Sequence, residues 1–420
     1  MALVDVYILD LLVIGLLLLM VTVGSGWIAR LPLSYALIYL FVGIILSPYG
    51  LNLVQIRPDA NFLERATEIV VLISLFSCGL KMSRPLQYGA WRSTIRLIGL
   101  LMPITIFAVA AIAHYVVQLD WGLSILLGAI LAPTDPVLAS EVQLEDPQDR
   151  DELRFGITSE GGLNDALAFP FVYFGIHWIE KDNWREWIHR WIAIDLVWAI
   201  FAGIVVGFLV AKAIKWIDKK LERFRTSDDL MEDFVALSAI FITYALAELV
   251  YGYGFLAVFV AGIAMRRRRN DEYTENQLHF IERIEKLAEI GTILLLGSML
   301  RFAPMLKFAG DAFVIAFSLI FVIRPLGAWI STIGLKVHPA TRWLYGWFGI
   351  RGVGSIYYLA YTFGHGLKGY DGEQIAWITF WTIVLSVLLH GVTSTPLMRW
   401  YERNVEHNET LEQNPAQHEA

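Results

Sequence analysis

Long apolar blocks, separated by short polar segments, run along the chain almost from its first residue to position 400. Most blocks reach the length that a helix needs to cross a bilayer, roughly 20 residues. They predict thirteen membrane-spanning helices, at about 6–29, 32–48, 62–80, 94–117, 121–142, 153–178, 190–216, 232–250, 253–265, 286–301, 311–335, 343–363 and 374–397. The pattern therefore predicts an all-α polytopic membrane protein.

The two ends of the pattern and its shortest block need separate interpretation. The N-terminal block lacks a basic leading region and a small-residue cleavage site, so it is expected to be a retained first span. The ninth block, 253–265, either extends into the basic run at 266–269 or pairs with the eighth block as a hairpin. We expect a transmembrane domain over 1–400 and a short polar cytoplasmic tail over 401–420.

Composition agrees with a membrane protein. Hydrophobic residues make up 56% of the chain and charged residues 17%, against about a quarter in soluble proteins. The single cysteine, Cys78, excludes an internal disulfide. The chain has no phosphate-binding glycine loop, nucleophile elbow or cysteine–histidine zinc spacing. We therefore expect neither an enzyme nor a resident cofactor, and no nucleic-acid partner.

Basic residues predict the orientation in the membrane. With thirteen spans, the loops of one face carry most of them: Lys81–Arg92, Lys215–Arg225, Arg266–Arg269, Lys336–Arg342, and the pair Arg399 and Arg403. The opposite face holds only scattered basic residues, such as Arg57 and Arg301. Cytoplasmic loops carry the excess of lysine and arginine, so the N-terminus is expected outside and the C-terminus in the cytoplasm.

The fifth block contains an acid between two helix breakers. Pro133 and Pro136 bracket Thr134 and Asp135. Each proline removes a backbone donor, so the helix is expected to unwind there and leave carbonyl groups free. Free carbonyls within a membrane must line a cavity or bind a ligand. An acid at such a point favours a cation site over a simple proline kink.

The sixth block contains two more acids. Its segment 158–178 reads as one continuous helix, which places Asp165 near the middle of the membrane. A charge there costs about 2.5 kcal/mol or more, so such groups are usually functional or paired. A carboxyl group at that depth can hold either a proton or a monovalent cation. Glu160 lies five residues before Asp165, about 500° around the helix, so the two side chains are offset from each other. Glu160 can therefore face a different partner, and we expect it to form a structural salt bridge.

Two arginines also lie within apolar blocks. Arg324 stands beside Pro325, which is expected to break the eleventh helix. Arg351 lies among Gly349, Gly352 and Gly354, so the twelfth block is expected to be discontinuous as well. If the halves are blocks 1–6 and 8–13, both broken helices are fifth in their half. Interrupted helices at matching positions indicate a transporter site between repeats.

Other polar residues within the blocks receive a less specific interpretation. The histidines His114, His177 and His390 are expected to be satisfied packing or interfacial groups rather than proton relays. No role is assigned to the three remaining acids, Asp10, Glu68 and Glu248.

Four short motifs carry a resemblance to a known family. The runs "APTDPV", "EGGLNDA" about thirty residues later, "IRPLG" and "GIRG" resemble the monovalent cation:proton antiporter-1 family, the NhaP-type sodium/proton antiporters and their animal relatives. The resemblance implies thirteen helices as two inverted six-helix repeats, with crossed, discontinuous helices five and twelve. It also implies a core domain that carries ions past a dimerisation domain in an elevator-like movement.

The resemblance assigns roles to residues of the fifth and sixth blocks. Thr134 and Asp135 correspond to the family's helix-crossing pair, and Asn164 and Asp165 to its Asn–Asp pair. Asp165 would be the exchanging carboxylate, and Asp165 and Thr134 would hold the transported Na⁺.

The resemblance also assigns the charged residues around the site. Glu160 would form a structural salt bridge with Arg324, and Arg351 would hold charge at the helix crossing together with Asp135.

Two positions depart from the family. Many relatives carry a serine ligand where this chain has Gly161, and Ser159 lies on another face. Some relatives carry an acid in the third helix, where this chain offers Ser77 and Cys78. The site therefore has fewer obvious oxygen ligands, and its preference among Na⁺, K⁺ and Li⁺ stays open.

The expected function is secondary active exchange of cytoplasmic Na⁺, or else Li⁺ or K⁺, for external H⁺. The resemblance implies electroneutral exchange and a homodimer in the cell membrane. A K⁺/H⁺ antiporter is the nearest alternative and a cation channel a further one. An intramembrane hydrolase that uses Asp135 and Asp165 is a distant third.

Overall fold

The computed structural model describes residues 35–53, 61–136, 138–139, 142–144, 149–181, 183–221, 229–266 and 272–406, with isolated positions before residue 35. Within these ranges the chain is helical and contains no strand. The predicted first span, with Asp10, falls almost wholly outside the described residues, as do tail residues 407–420 and the basic residues 267–269.

Fifteen helices follow one another along the described ranges. They are α1 (Tyr35–Leu46), α2 (Asn61–Lys81), α3 (Arg92–Tyr115), α4 (Trp121–Leu131), α5 (Glu152–Leu167), α6 (Phe169–Glu180), α7 (Trp184–Lys220), α8 (Asp229–Leu249), α9 (Gly254–Met265), α10 (Glu272–Met299), α11 (Phe302–Lys307), α12 (Ala309–Ser331), α13 (Pro339–Trp347), α14 (Val353–Gly364) and α15 (Gly369–Val405).

Length and composition mark four of these helices as able to cross a membrane: α3, α7, α12 and α15. Helices α1, α4 and α9 are apolar but shorter. Most predicted blocks coincide with a helix or a pair of helices. The structure is therefore all-helical in its described ranges, as the apolar pattern predicts.

Two predictions are wrong: the continuity of the sixth helix and the start of the tenth. The segment 158–178 is not one helix: α5 ends at Leu167 and α6 begins at Phe169, because Pro170 cannot donate a backbone hydrogen bond. The tenth helix begins at Glu272 rather than near 286, since its first half is amphipathic and too polar to register as an apolar block.

Other expectations also meet corrections. Pro325 does not break the eleventh helix, because α12 continues to Ser331. A widened turn within α12, over Leu319–Ile323, lies just before the proline. Such a turn absorbs the hydrogen bond that a proline cannot make. The ninth helix ends at Met265, and Arg266 is extended, so the helix does not continue into the basic run at that residue.

The helices pack as two groups that meet at α2 and α9. One group contains α3, α4, α5, α6, α11, α12, α13, α14 and α15, and the other contains α1, α2, α7, α8, α9 and α10. Helix α2 packs on α5 and α14 of the first group as well as on α9 and α10. Gly79 of α2 and Gly262 of α9 allow these two helices to approach closely, because a Cβ atom on either glycine would lie 3.0 Å from the Cα atom of the other.

The basic loops lie close together on one face of the helix assembly. Arg84 pairs with Glu152 at the start of α5, and Arg154 pairs with Glu402 near the end of α15. Lys215 donates to the carbonyl of Arg266 at 3.1 Å. The loops that the charge pattern assigned to one side are therefore neighbours in space.

Candidate functional site

The first break in the membrane region follows α4, which ends at Leu131. Residues 132–136 are not helical, although they are buried. The carbonyl oxygens of Ala132 and Pro133 accept hydrogen bonds of 2.9 and 3.0 Å from Nη1 of Arg351. The arginine thus satisfies carbonyl groups that the prolines leave without helical partners.

The second break separates α13 from α14 and lies against the first. The backbone N–H of Asp135 donates to the carbonyl of Ile350 at 2.8 Å. In return, the backbone N–H of Val353, the first residue of α14, donates to the Asp135 carboxylate. A second N–H, from Leu138, lies 3.3 Å from the other carboxylate oxygen. The two interrupted stretches therefore hold each other through backbone and carboxylate.

The charges at this crossing complement the helix dipoles. Asp135 occupies the N-terminal end of α14, where partial positive charge accumulates, and Arg351 occupies the C-terminal end of α4. Both side chains are almost fully buried. Gly352 is required here because a Cβ atom at that position would collide with the Asp135 carboxylate. Each break thus supplies the charge that the other half-helix needs.

Asn164 and Asp165 lie on α5 beside this crossing and are 1% exposed. The Asn164 side chain donates to Oγ1 of Thr134 at 2.7 Å, which ties α5 to the first break. Within the described residues, neither Oδ1 of Asn164 nor Oδ1 of Asp165 has a hydrogen-bond partner. Buried oxygens without partners are costly, so this pair is arranged to accept a ligand or a proton.

Residues of α14 surround Asp165 closely. A Cβ atom on Gly354 would collide with the Asp165 carboxylate, so only glycine fits there. Tyr358, one turn later, donates its hydroxyl to the backbone carbonyl of Asp165.

Glu160 and Arg324 form an ion pair between α5 and α12. Two hydrogen bonds connect them, one of them at 2.8 Å, and each side chain is only 3% exposed. The Arg324 Nε atom also donates to the Tyr345 carbonyl at 3.1 Å. This pair lies apart from the Asp165 carboxylate, and it fixes α5 against α12 and α13.

Position 161 faces the first break, whereas Ser159 does not. A Cβ atom on Gly161 would lie 3.3 Å from the Pro136 Cβ and 3.4 Å from the Thr134 carbonyl oxygen. Ser159 instead contacts Thr94 of α3 at 2.6 Å. Gly161 therefore places no side-chain oxygen at the first break, and an added Cβ atom would fit only tightly there.

The third-helix residues lie near the same site from the α2 side. Cys78 is buried, and its Cβ lies 3.3 Å from where a Cβ of Gly162 would stand. Among the described residues, no group of three or more histidine, cysteine, aspartate or glutamate side chains could hold a resident metal ion.

Sequence reasoning missed one supporting residue on α15, Ser386, and did not identify the partners of His390. The Ser386 hydroxyl accepts the backbone N–H of Arg351 at 3.0 Å, and His390 lies 2.7 Å from the Ser386 carbonyl and 2.8 Å from the Trp347 carbonyl. The available signal was their i, i+4 spacing on one helix face. The packing role expected for His390 agrees with these contacts.

The similar proteins found by comparison are named as cation/proton antiporters. The chain is 25% identical over 407 residues to the K(+)/H(+) antiporter NhaP of Alkalimonas amylolytica, which covers 94% of the chain and 67% of that protein. It is 24% identical over 389 residues to the K(+)/H(+) antiporter NhaP2 of Shewanella baltica, with 92% and 66% covered. The chain thus spans about two thirds of the length of the curated relatives it matches.

A solved structure supports the fold. The sodium proton antiporter MjNhaP1 from Methanocaldococcus jannaschii superposes with a TM-score of 0.73 at 22% identity, covering 94% of this chain and 98% of the other. The family model described as "Sodium/hydrogen exchanger, transmembrane" matches residues 14–400. The chain is therefore a multi-pass membrane protein that belongs to the sodium/hydrogen exchanger family of cation/proton antiporters.

Proposed function

We propose that the protein exchanges a monovalent cation for a proton, with Asp165 as the group that binds either one. The observation that carries this proposal is the buried, unpartnered Oδ1 of Asp165 beside the unpartnered Oδ1 of Asn164. One carboxylate at this depth can be neutralised by a proton or by a cation, but not by both together. An empty, charged Asp165 is costly to move across the membrane, which limits leak.

Thr134 and Asn164 complete the proposed cation site. The Thr134 hydroxyl and the Asn164 amide are already joined at 2.7 Å, so a cation at Asp165 meets preorganised oxygens. Asp135 and Arg351 hold the crossing in shape and do not exchange. Asp135 is already engaged by two backbone N–H groups, and this distinguishes it from Asp165.

Sodium is the proposed substrate, and potassium is the second candidate. Potassium is favoured by the names of the relatives from Alkalimonas and Shewanella, and by Gly161, which offers no side-chain oxygen to the site. A larger cation with weaker hydration tolerates a wider site with fewer protein oxygens. A fluorescence dequenching assay with Na⁺, Li⁺ and K⁺ at several pH values separates these candidates, and absence of proton flux with all three would refute the proposal.

Exchange is proposed to be electroneutral, one cation for one proton. Asn164 adds no second titrating group, and Asp135 is held by the backbone. Everted vesicles under an imposed potential provide the test: an exchange rate that changes with voltage would exclude one-for-one exchange. A current without proton coupling would indicate a channel instead.

The two helix groups correspond to the proposed moving parts. The group around α5 and α14 would be the core that carries Asp165, and the group around α7 and α10 would be the dimerisation domain; each would take helices from both inverted repeats. We propose a homodimer in the cell membrane with the basic face in the cytoplasm. Crosslinking in membranes and labelling of loop cysteines from each side would test the assembly and the orientation.

A further inference from the structure

Helix α5 ends two residues after Asp165, at Leu167. Pro170, the second residue of α6, has no backbone N–H to donate, so α5 cannot continue through it. The last four carbonyl groups of an α-helix, counted through its C-cap residue, have no partner within that helix. With Ala168 as the C-cap residue of α5, the carbonyl of Asp165 is the first of these four. The residue proposed to exchange therefore lies at a helix end, and its own carbonyl needs a donor from elsewhere.

A tyrosine of α14 provides that donor. Tyr358 donates its hydroxyl to the backbone carbonyl of Asp165. The Tyr358 side chain is fully buried, and the ring of Phe169, the first residue of α6, packs edge-on against it with centroids 5.1 Å apart. Buried hydroxyl and carbonyl groups are costly to leave unpaired. Tyr358 therefore satisfies the end of α5 from a different helix.

Helix α14 contacts Asp165 at two points. Gly354 and Tyr358 are four residues apart, so they lie on one face of α14, one turn from each other. A Cβ atom on Gly354 would overlap the Asp165 carboxylate, so the carboxylate lies directly against the α14 backbone. Tyr358, one turn further on, holds the main chain of the same aspartate. The main chain and the side chain of Asp165 are therefore both located by α14.

The carboxylate of Asp165 has no comparable anchor. Its Oδ1 atom meets no hydrogen-bond partner in the part of the chain that the structure describes. The preceding residue, Asn164, is held by the Thr134 hydroxyl at 2.7 Å. Ligands of a binding site must be held within roughly 0.5 Å of the productive geometry. The position of the Asp165 backbone therefore determines how well its carboxylate and Thr134 can share one cation.

We propose that Tyr358 is a positioning residue for the exchange site, and that it sets the cation affinity by holding the backbone of Asp165 at the end of α5. The inference rests on the proposed exchange function. Tyr358 acts through Asp165 and does not bind the cation. Loss of its hydroxyl leaves the ring packing in place but releases the helix end, so the carboxylate and Thr134 match a cation less well. A proton needs only one carboxylate oxygen, so proton binding is affected less.

The test is exchange by Tyr358→Phe in proteoliposomes, with Na⁺ and K⁺ as probes. The half-saturating concentration of the transported cation is expected to rise about threefold to tenfold, the range that loss of one net hydrogen bond predicts. The maximal rate at saturating cation, and the pH at which that rate is half-maximal, are expected to stay close to those of the wild type.

Tyr361→Phe is the matched control. Its hydroxyl lies on the same helix, 2.8 Å from the Tyr173 hydroxyl of α6. Each variant removes one tyrosine hydroxyl from α14, so both should lower the unfolding temperature by similar amounts. Only Tyr358→Phe should change the half-saturating cation concentration, since a purely structural tyrosine would affect stability without affecting cation affinity.

Three results would overturn the positioning role of Tyr358. They are an unchanged half-saturating concentration in Tyr358→Phe, an equal rise in both variants, and a fall in maximal rate alone. Each of them leaves the exchange function standing, because the wild type is measured in the same vesicles. If the wild type exchanges neither cation for protons, the proposed function fails first, so the two failures are distinguishable.

Discussion

Asp135 and Asp165 are both buried aspartates next to the same helix crossing, yet their environments are opposite. The Asp135 carboxylate accepts backbone N–H groups from Val353 and Leu138 and lies at the positive end of a helix. The Asp165 carboxylate has an oxygen without any partner in the described residues and lies against a glycine. Backbone N–H groups therefore satisfy the carboxylate of Asp135, whereas one carboxylate oxygen of Asp165 has no hydrogen-bond partner in the described residues.

If Asp165 is the exchanging acid, as proposed, burial alone does not identify it, because Asp135 is equally buried. A carboxylate whose bonds are already made by backbone amides gains little from a cation, since binding would displace those bonds. A carboxylate without partners gains a full set of interactions from either a proton or a cation. The number of satisfied oxygens therefore distinguishes the two aspartates better than depth does.

The largest expected effect is from Asp165→Asn. It should reduce cation-dependent proton flux at least a thousandfold, about 4 kcal/mol in rate terms, because the amide cannot alternate between a proton and a cation. The protein should still insert and should melt at the same temperature or higher, since a buried charge is removed. Retained flux, measured by dequenching in vesicles, would place the exchange elsewhere.

Asp135→Asn should reverse this pattern. Replacing a charge-assisted acceptor at the start of α14 should lower unfolding stability by about 2 kcal/mol. Some exchange should persist, with a reduced maximal rate. Thermal unfolding in detergent and transport on the same preparation would measure both. If Asp135→Asn abolished exchange at unchanged stability, the two aspartates would share one role and the comparison would be lost.

Gly161→Ser tests how much the ligand count at Asp165 matters. The new Cβ has 3.3 Å to the Pro136 side chain, so a small adjustment accommodates it. Its hydroxyl adds an oxygen beside the Thr134 carbonyl, and the ratio of Na⁺ to K⁺ affinity should rise about threefold, less than 1 kcal/mol. Gly161→Ala, which adds volume without an oxygen, is the control; an equal shift in both variants would make the effect one of packing.

Asp151 offers the smallest effect and a reference acid at the aqueous end of α5. Its carboxylate caps the helix at 2.8 Å from the Arg154 N–H, while burial raises the pKa of Asp151 above its usual value. The folded chain therefore binds this proton more tightly than the unfolded chain, and the associated stability is lost as pH rises through the folded pKa. Asp151→Asn keeps the cap, and its stability relative to the wild type should rise as the pH increases above about 4, the ordinary range of an aspartate. If the melting temperatures of the two proteins changed in the same way with pH, this prediction would be contradicted.

Much of the architecture was predictable because local chemistry determines it. Apolar blocks predicted most of the helices, and the residues around Pro133 and Gly352 do interrupt the fifth and twelfth blocks. The bend at Ala168 was missed because Pro170 was read within a continuous apolar run. The polar start of α10 was missed because hydropathy reads an amphipathic helix as a loop.

The roles of individual acids could not be read in the same way. The N–H group that engages Asp135 belongs to Val353, more than two hundred positions further along the chain. Pairing of that kind depends on the tertiary fold, which hydropathy and local motifs do not describe. Ser386 and the partners of His390 were overlooked for the same reason, since these two side chains contact backbone atoms of Arg351 and Trp347 that are distant in sequence.

The double hydrogen bond between Glu160 and Arg324 has a practical consequence for observing transport. It fastens α5 to α12, so any displacement of the acid on α5 must carry α12 with it. Leu326, two residues after Arg324 on α12, is 55% exposed. A spin label attached there would show whether the helix that carries Asp165 moves during transport, without a label on the buried carboxylate itself.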